Sequence, residues 1–368
     1  MKRIGAKPVA LIALAFAASA AIVIGGVALR SGPTRPSPDA VVAAGSPGAL
    51  VLVDDGSSRR EAASGLAVLR GRVPLDVRDR FRIGSITKTF IAAVVLQLVD
   101  EHRIRLGDTV ERWLPGLIPG GRRITLRELL GHKSGLADYA GNAAFVRETL
   151  AQPRRLWGPS ELVRVALAEG PVARPGERFS YASTNYVILG MVVERATGTS
   201  LGRELRDRIF VPLELEDTSF APGRRFQGGY AHGYAPSEHD GIVGGLATAR
   251  DRSTVGTSWA WAAGSIVSTA SDLSRFLGAL LQGRLLPPHL LALMRPAPGA
   301  RYGLGLAAFR TPCGTAIGHT GALLGTVSAA LSSADGRRRA VAMSNSLPLT
   351  PPAESAFRRL LESSFCGT

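Results

Sequence analysis

Lysine is nearly absent from this 368-residue chain. Of its 44 basic residues only Lys2, Lys7, Lys88 and Lys133 are lysines, and the rest are arginine. Arginine holds its charge at any ordinary pH, whereas a lysine with a depressed pKa can act as a base. The chain uses arginine wherever a plain cation suffices, so a lysine inside an apolar segment points to proton chemistry. Cysteine is scarcer still, with Cys313 and Cys366 alone. No spacing of His, Cys or carboxylates suits a metal and no glycine loop suits a phosphate, so no cofactor is expected. Aromatics make up 6% of the chain and do not interleave with its +15 net charge, which is spread along the whole length. That distribution argues against a nucleic-acid partner. A solvated arginine surface is the expectation, with modest attraction to an anionic cell wall, on a monomer.

What is present is an ordinary globular composition, 45% hydrophobic and 20% charged, with room for one large domain or two intergrown ones. Lys2, Arg3 and Lys7 precede an uncharged apolar stretch from Pro8 to Leu29. Residues 1–29 therefore read as a secretory signal, with Ala18-Ser19-Ala20 as cleavage site, or as a retained membrane anchor. Either places the body outside the cytoplasm. In an oxidising compartment a lone cysteine pair forms one disulfide, and two free buried thiols are the alternative. Residues 30–46 are a Pro/Ser/Gly linker with nothing to bury. Ala49–Val53 and Glu61–Leu69 predict a strand pair. Helical segments joined by Gly/Pro turns fill about 106–255, including one over Ile124–Leu130 and one over Ser160–Glu169 capped by Ser160. Gly223–Arg252 reads as a long surface loop or lid. Ser271-Asp272 predicts the cap of a helix through Leu281, and Tyr302–Phe309, Thr315–His319, Thr326–Leu331 and Arg339–Met343 predict antiparallel strands. A last helix runs from Pro352 to Ser364. The pattern is an α/β layer domain (47–105 and 256–368) with an inserted helical part, and the cleft between them is the expected site.

The chain is organised around Arg82-Ile83-Gly84-Ser85-Ile86-Thr87-Lys88-Thr89-Phe90 and the apolar run to Val99. Apolar residues at helical spacing predict a buried helix starting at Ser85 and ending near Glu101. Ser85 and Lys88 then share one face near its N-terminus, where the dipole favours both an alkoxide and a neutral amine. The pattern alone is weak, because an N-cap serine followed by a solvated lysine produces it by chance. The rarity of lysine weighs on the other side.

Two further landmarks join Ser85-x-x-Lys88: Tyr181-x-Ser183, and His319-Thr320-Gly321 on a late strand. Together they resemble the penicillin-recognising serine hydrolases: class C β-lactamases, D-alanyl-D-alanine carboxypeptidases and esterases of that fold. The likeness runs from about residue 45 to the end. It includes Leu129-Leu130-Gly131-His132-Lys133-Ser134-Gly135-Leu136 and Pro175-Gly176-x-x-Phe179-x-Tyr181, and is closest to secreted actinobacterial carboxypeptidases. The resemblance implies an antiparallel sheet flanked by helices with a mostly helical insertion. It implies Ser85 as nucleophile, Lys88 as proton acceptor, Tyr181 as proton donor to the leaving group with its phenol held near cations that lower its pKa, and His319 where a cation usually lines the strand. Ser183, Trp261, Thr320, Gly321 and Ala322 are the implied substrate contacts, with Gly321 leaving the strand edge open to substrate backbone and the N–H groups of Ser85 and Ala322 as oxyanion hole. The resemblance also implies the Cys313–Cys366 disulfide. Peptidoglycan stem peptides or β-lactams are the implied substrates, and a wall-associated penicillin-binding sensor is the non-enzymatic alternative. Two departures stand out. Ser183 occupies a position where asparagine is usual, leaving Asn185 as a stand-in. Ala322 supplies no hydroxyl, and only Arg310 or Arg301 could offer a cation to a substrate carboxylate, if the strand register turns one of them toward the cleft.

Overall fold

Alternation explains the centre of the molecule. In Ala49-Leu50-Val51-Leu52-Val53 every side chain is apolar, so successive residues bury on opposite faces of a sheet covered on both sides. The computed structural model describes residues 37–223, 229–235 and 249–367. In it, β1 (Gly48–Asp54) sits in a seven-stranded antiparallel sheet with β2 (Arg59–Val68), β3 (Val73–Pro74), β4 (Ala307–Thr311), β5 (Gly314–Leu323), β6 (Thr326–Ser332) and β7 (Arg339–Ser344), in the order β3-β2-β1-β7-β6-β5-β4. Leu50 and Leu52 join Val341 and Met343 on one face, while Ala49, Val51 and Val53 join Ala340 and Ala342 on the other.

Eight helices matter for the site: α1 (Asp39–Ala43), α2 (Thr87–Asp100), α3 (Leu126–Leu130), α4 (Pro159–Ala168), α5 (Ser183–Thr197), α6 (Trp261–Gly264), α7 (Ala270–Leu281) and α8 (Pro351–Cys366). Helix α2 is buried almost all round, from Thr87 to Leu96 without a break, and Phe90 stacks on Phe276 of α7 at 3.5 Å between ring centroids. One apolar core runs from Leu50 and Met343 through α2 to Leu162 of α4 and Leu189 of α5. The sheet part and the helical part therefore share their interior. The opposite face is closed by Phe357, Leu360, Leu361 and Phe365 of α8, with Val41 of α1.

Several local expectations are corrected. The linker expected over 30–46 gives way over its described end, where α1 forms, Val41 is fully buried, and the Ser46 hydroxyl meets that of Ser344. Helix α4 is capped at Gly158, not Ser160, because Pro159 suits the first helical position and Glu161 reaches back to accept the Gly158 N–H at 2.7 Å. Thr269 caps α7, and the Asp272 carboxylate instead accepts from the Thr218 hydroxyl. The expected strand over 302–309 shifts to β4. The apolar stretch 8–29 lies outside the described residues, as do 224–228 and 236–248 of the expected lid. Among the described residues no helix is long and apolar enough to cross a membrane.

Candidate active site

Ser85 lies in a 3₁₀ turn, Gly84–Ile86, that feeds directly into α2. The expected α-helical start is thus tightened by one turn, and the reason is contact with β5. Gly84 has φ +52°, and a Cβ there would lie 2.6 Å from the Ala322 nitrogen. A Cβ at Gly321 would lie 1.8 Å from the Ile83 carbonyl oxygen, a group that also accepts the Ser328 hydroxyl. The backbones of Ser85 and Ala322 are therefore brought side by side, as a two-donor oxyanion hole requires. Gly321 is needed for this approach to the nucleophile's own segment, a role in addition to the expected one at the strand edge.

Lys88 is fully buried, with Nζ 2.9 Å from Ser85 Oγ, 2.9 Å from the Ala263 carbonyl of α6 and 3.5 Å from Ser183 Oγ. Burial pushes its pKa down to about 7, against the opposing pull of Asp138. As an ammonium, Nζ donates to all three oxygens. Once neutral it keeps two N–H donors for Ala263 and Ser183 and has one lone pair to accept the Ser85 O–H, which makes Ser85 a stronger nucleophile.

The segment 132–140 cradles the Tyr181-x-Ser183 turn. His132 Nδ1 accepts the Ala182 N–H at 3.1 Å, and its carbonyl accepts the Ser180 N–H. Tyr181 stacks on the His132 ring at 4.2 Å, with Lys88 Nζ 5.0 Å from its own ring centre. Its hydroxyl is buried. Burial pushes that phenol well above its usual range, with Ser85 pulling it partly back. Tyr181 is therefore a neutral O–H in the free site, which corrects the expected phenol of lowered pKa. Asn185 is corrected as well. It is fully buried beneath the cleft, donating to His132 Nδ1 and accepting from the Ser134 hydroxyl at 2.6 Å, so it cannot stand in for the usual asparagine. Ser183 does reach the site. Its N–H donates to Asp138 Oδ1 at 3.0 Å.

On β5, His319 and Thr320 are buried beside Ser85's turn. His319 Nδ1 faces the Thr320 carbonyl at 2.5 Å, so Nδ1 carries the proton and Nε2 accepts from the Tyr302 hydroxyl at 3.1 Å. Burial drives its pKa down to about 3, leaving it uncharged. Arg310 pairs with Thr315 on the neighbouring strand, so it shares a face with Ile317 and His319. It lies four residues back along β5, about 13 Å from His319 at 3.3 Å per residue, and is exposed, as is Arg301. Trp261 is not a cleft residue. Its ring packs on α5, 2.8 Å from where a Gly190 Cβ would be, and the pocket at Ser85 is walled instead by Trp259, Tyr139, Ala140, Ala260 and Leu323. The Cys313 and Cys366 sulfurs are bonded, tying the turn before β5 to the end of α8. A larger surface hollow, lined by Arg59, Arg78, Arg275, Glu216 and Asp217, shares no residue with this pocket.

Sequence reasoning missed Asp138, Tyr302, Trp259 and Tyr139. The signal for Asp138 was available, as an acid two residues past Leu136 with apolar neighbours on either side. Tyr302 offered none, since its role depends on where β5 passes.

The sequence profile of the family described as Beta-lactamase matches residues 38–364. The chain belongs to the Beta-lactamase family. It has the antiparallel sheet and flanking helices of the β-lactamase and penicillin-binding fold. Among solved structures it is similar to a D-stereospecific amidohydrolase from Streptomyces sp., at 36% identity and TM-score 0.79, covering 90% of this chain and 97% of that one. It is also similar to the D-amino acid amidase of Ochrobactrum anthropi SV3 complexed with D-phenylalanine, at 27% identity and TM-score 0.77, covering 90% and 99%. A similar curated protein is penicillin-binding protein 4 of Amycolatopsis lactamdurans. It is 34% identical over 48% of this chain and 45% of its own length. The chain spans about half the length of the curated relatives it matches.

Proposed function

We propose that the protein cleaves amide and ester bonds at the carbonyl of D-configured residues through a Ser85 acyl-enzyme. The observation that carries this is the contact set of Lys88. A buried amine of pKa about 7, 2.9 Å from Ser85 Oγ, can take the serine proton as the hydroxyl attacks. The alkoxide becomes bonded to the substrate carbonyl carbon, and the developing oxyanion faces the Ser85 and Ala322 N–H groups. The tetrahedral intermediate collapses with loss of the amine or alcohol, which takes a proton through the Tyr181 hydroxyl. Water then releases the acid by the reverse sequence.

D-alanyl-D-alanine stem peptides belong to this substrate class, but the carboxypeptidase reading needs a cation for the terminal carboxylate. Arg310 lies about 13 Å along the sheet from His319, His319 is uncharged, and position 322 is alanine. Support for D-configured amides comes from the D-stereospecific amidohydrolase and the D-amino acid amidase, and for β-lactam acylation from the penicillin-binding relative. An address outside the cytoplasm rests on residues 1–29 and the cysteine pair.

The test compares kcat/KM for a D-alanyl-D-alanine peptide, its methyl ester, its amide and the L-configured amide, with Ser85→Ala as control. The D-ester and D-amide are expected to match or exceed the acid, and the L-amide to be poor. An acid preference above about a hundredfold, nearly 3 kcal/mol, would sink the amidase reading in favour of the carboxypeptidase. Arg310→Ala and Arg301→Ala are expected to leave the ratio unchanged. Covalent labelling by a fluorescent penicillin that survives Ser85→Ala would refute the nucleophile.

A further inference from the structure

The usual asparagine of the second motif is missing here, and the groups around Ser183 show what takes its place. The stretch Ala137-Asp138-Tyr139 is clipped to the start of α5 at three consecutive residues. The Thr184 hydroxyl donates to the Ala137 carbonyl at 2.7 Å and accepts the Tyr139 N–H at 3.2 Å, while Asp138 Oδ1 accepts the Ser183 N–H at 3.0 Å. A second clip, from the Tyr139 hydroxyl to the Trp259 carbonyl at 2.8 Å, holds the same stretch to the far wall of the pocket. Asp138 Oδ1 also accepts the Ala140 N–H at 3.1 Å. The carboxylate is thus fixed by two backbone donors, one of them the first N–H of a 15-residue helix, at whose N-terminus negative charge is favoured.

The titratable groups facing Lys88 come from four elements. They are Asp138, Tyr181 before α5, Tyr186 within it, and, acting over a longer range, His132 and His319. Both histidines and both phenols are held neutral by burial. Asp138 in turn faces Lys88, Tyr139 and Tyr181. Burial raises its own pKa, and Lys88 with the two backbone N–H groups opposes that rise. No salt bridge to Lys88 forms among the described residues, so Asp138 acts on it across Ser183 and not by direct pairing.

We propose that Asp138 is a positioning residue for the Ser85–Lys88 pair, fixing the Ser183 hydroxyl beside Lys88 and supplying the negative charge against which Lys88 releases its proton. Asp138 and Ser183 together then do what one amide side chain does in the usual motif. The serine provides the short polar contact, and the aspartate provides the field that keeps a buried amine protonatable near neutral pH. Without that charge the amine would lose its proton at lower pH and become a weaker base, because basicity and pKa fall together.

This inference rests on the Ser85 acyl-transfer reading, so the experiment first establishes a Ser85 adduct in the full chain by peptide mass spectrometry. The pH profile of kcat/KM for a D-amide is then measured for wild type, Asp138→Asn and Ser183→Ala. Asparagine keeps an acceptor for the Ser183 N–H and removes the charge. Its acid limb is expected about one pH unit below that of wild type, with a plateau lowered roughly tenfold by the weaker base. Ser183→Ala keeps the charge, so its limb should stay in place while its plateau falls. A merely structural aspartate would lower Tm and leave the limb where it was, and an unmoved limb in folded Asp138→Asn overturns the proposal. Should Asp138→Asn not fold, a Ser183→Ala plateau equal to wild type overturns it instead. If no Ser85 adduct forms in wild type, the acyl-transfer reading itself has failed, which is a separate result.

Discussion

At the scale of single residues, Lys88 is where chemistry and stability pull against each other. Burial holds its folded pKa near 7, against 10.5 for an exposed lysine. Between those values the unfolded chain binds a proton that the folded chain does not, so folding stability rises with pH across this window. Below pH 7 the protein carries the full cost of a buried ammonium, and above about 10.5 it carries none. Lys88→Met is therefore expected to be inactive yet more stable. Its Tm advantage should be largest at or below pH 7 and shrink steadily toward pH 10, as checked by calorimetry of both proteins across that range. An advantage independent of pH would mean that Lys88 is not buried as an amine. The acid limb of activity should likewise fall near pH 7, and His319, uncharged above about pH 3, should not contribute to it.

At the scale of elements, the site depends on β5 touching the turn that carries Ser85. Gly321→Ala would place a methyl carbon 1.8 Å from the Ile83 carbonyl oxygen, so turn and strand must part. Losing one oxyanion donor typically costs 10²–10³-fold in kcat. A loss of at least about a hundredfold is expected for Gly321→Ala, with substrate affinity much less affected; near-normal kcat would show that the two segments can separate without harm. The motifs on these elements were legible in the sequence because each is local: Ser85 and Lys88 share one helix turn, and Tyr181 leads into α5. The sheet was legible from the short unbroken apolar runs of β1 and β7, and the fold followed from the order of the motifs. What could not be read was contact through space. Asn185 and Ser183 sit two positions apart on α5, yet helical geometry turns one to the cleft and buries the other under His132. Trp261 points away because the short α6 sets its ring against Gly190. Arg310 falls on the site's face of the sheet, but the register with Thr315, which no spacing in the sequence specifies, leaves it too far along the strand. Asp138 and Tyr302 act from loops whose course depends on the core beneath them.

At the scale of the whole molecule, the Cys313–Cys366 link closes a loop of 53 residues that contains β5, β6, β7 and α8. Loop-entropy arguments give such a closure about 4 kcal/mol of stability. The double variant Cys313→Ser/Cys366→Ser should lose about that much in urea denaturation and keep its kcat at low temperature, since neither sulfur is in the pocket. Two alkylatable thiols in the native protein would show that the link does not form. The sheet order has a further consequence. β1 lies between β2 and β7, and the hydroxyls of Ser46 and Ser344, 298 positions apart in the chain, meet across that junction. During synthesis the first strand of the sheet must wait for the last one, with its apolar edge uncovered while the helical middle emerges. The seat beneath Ser85 cannot be completed until β5 and β7 have left the ribosome, so a nascent or prematurely terminated chain should carry the nucleophile without the power to be acylated.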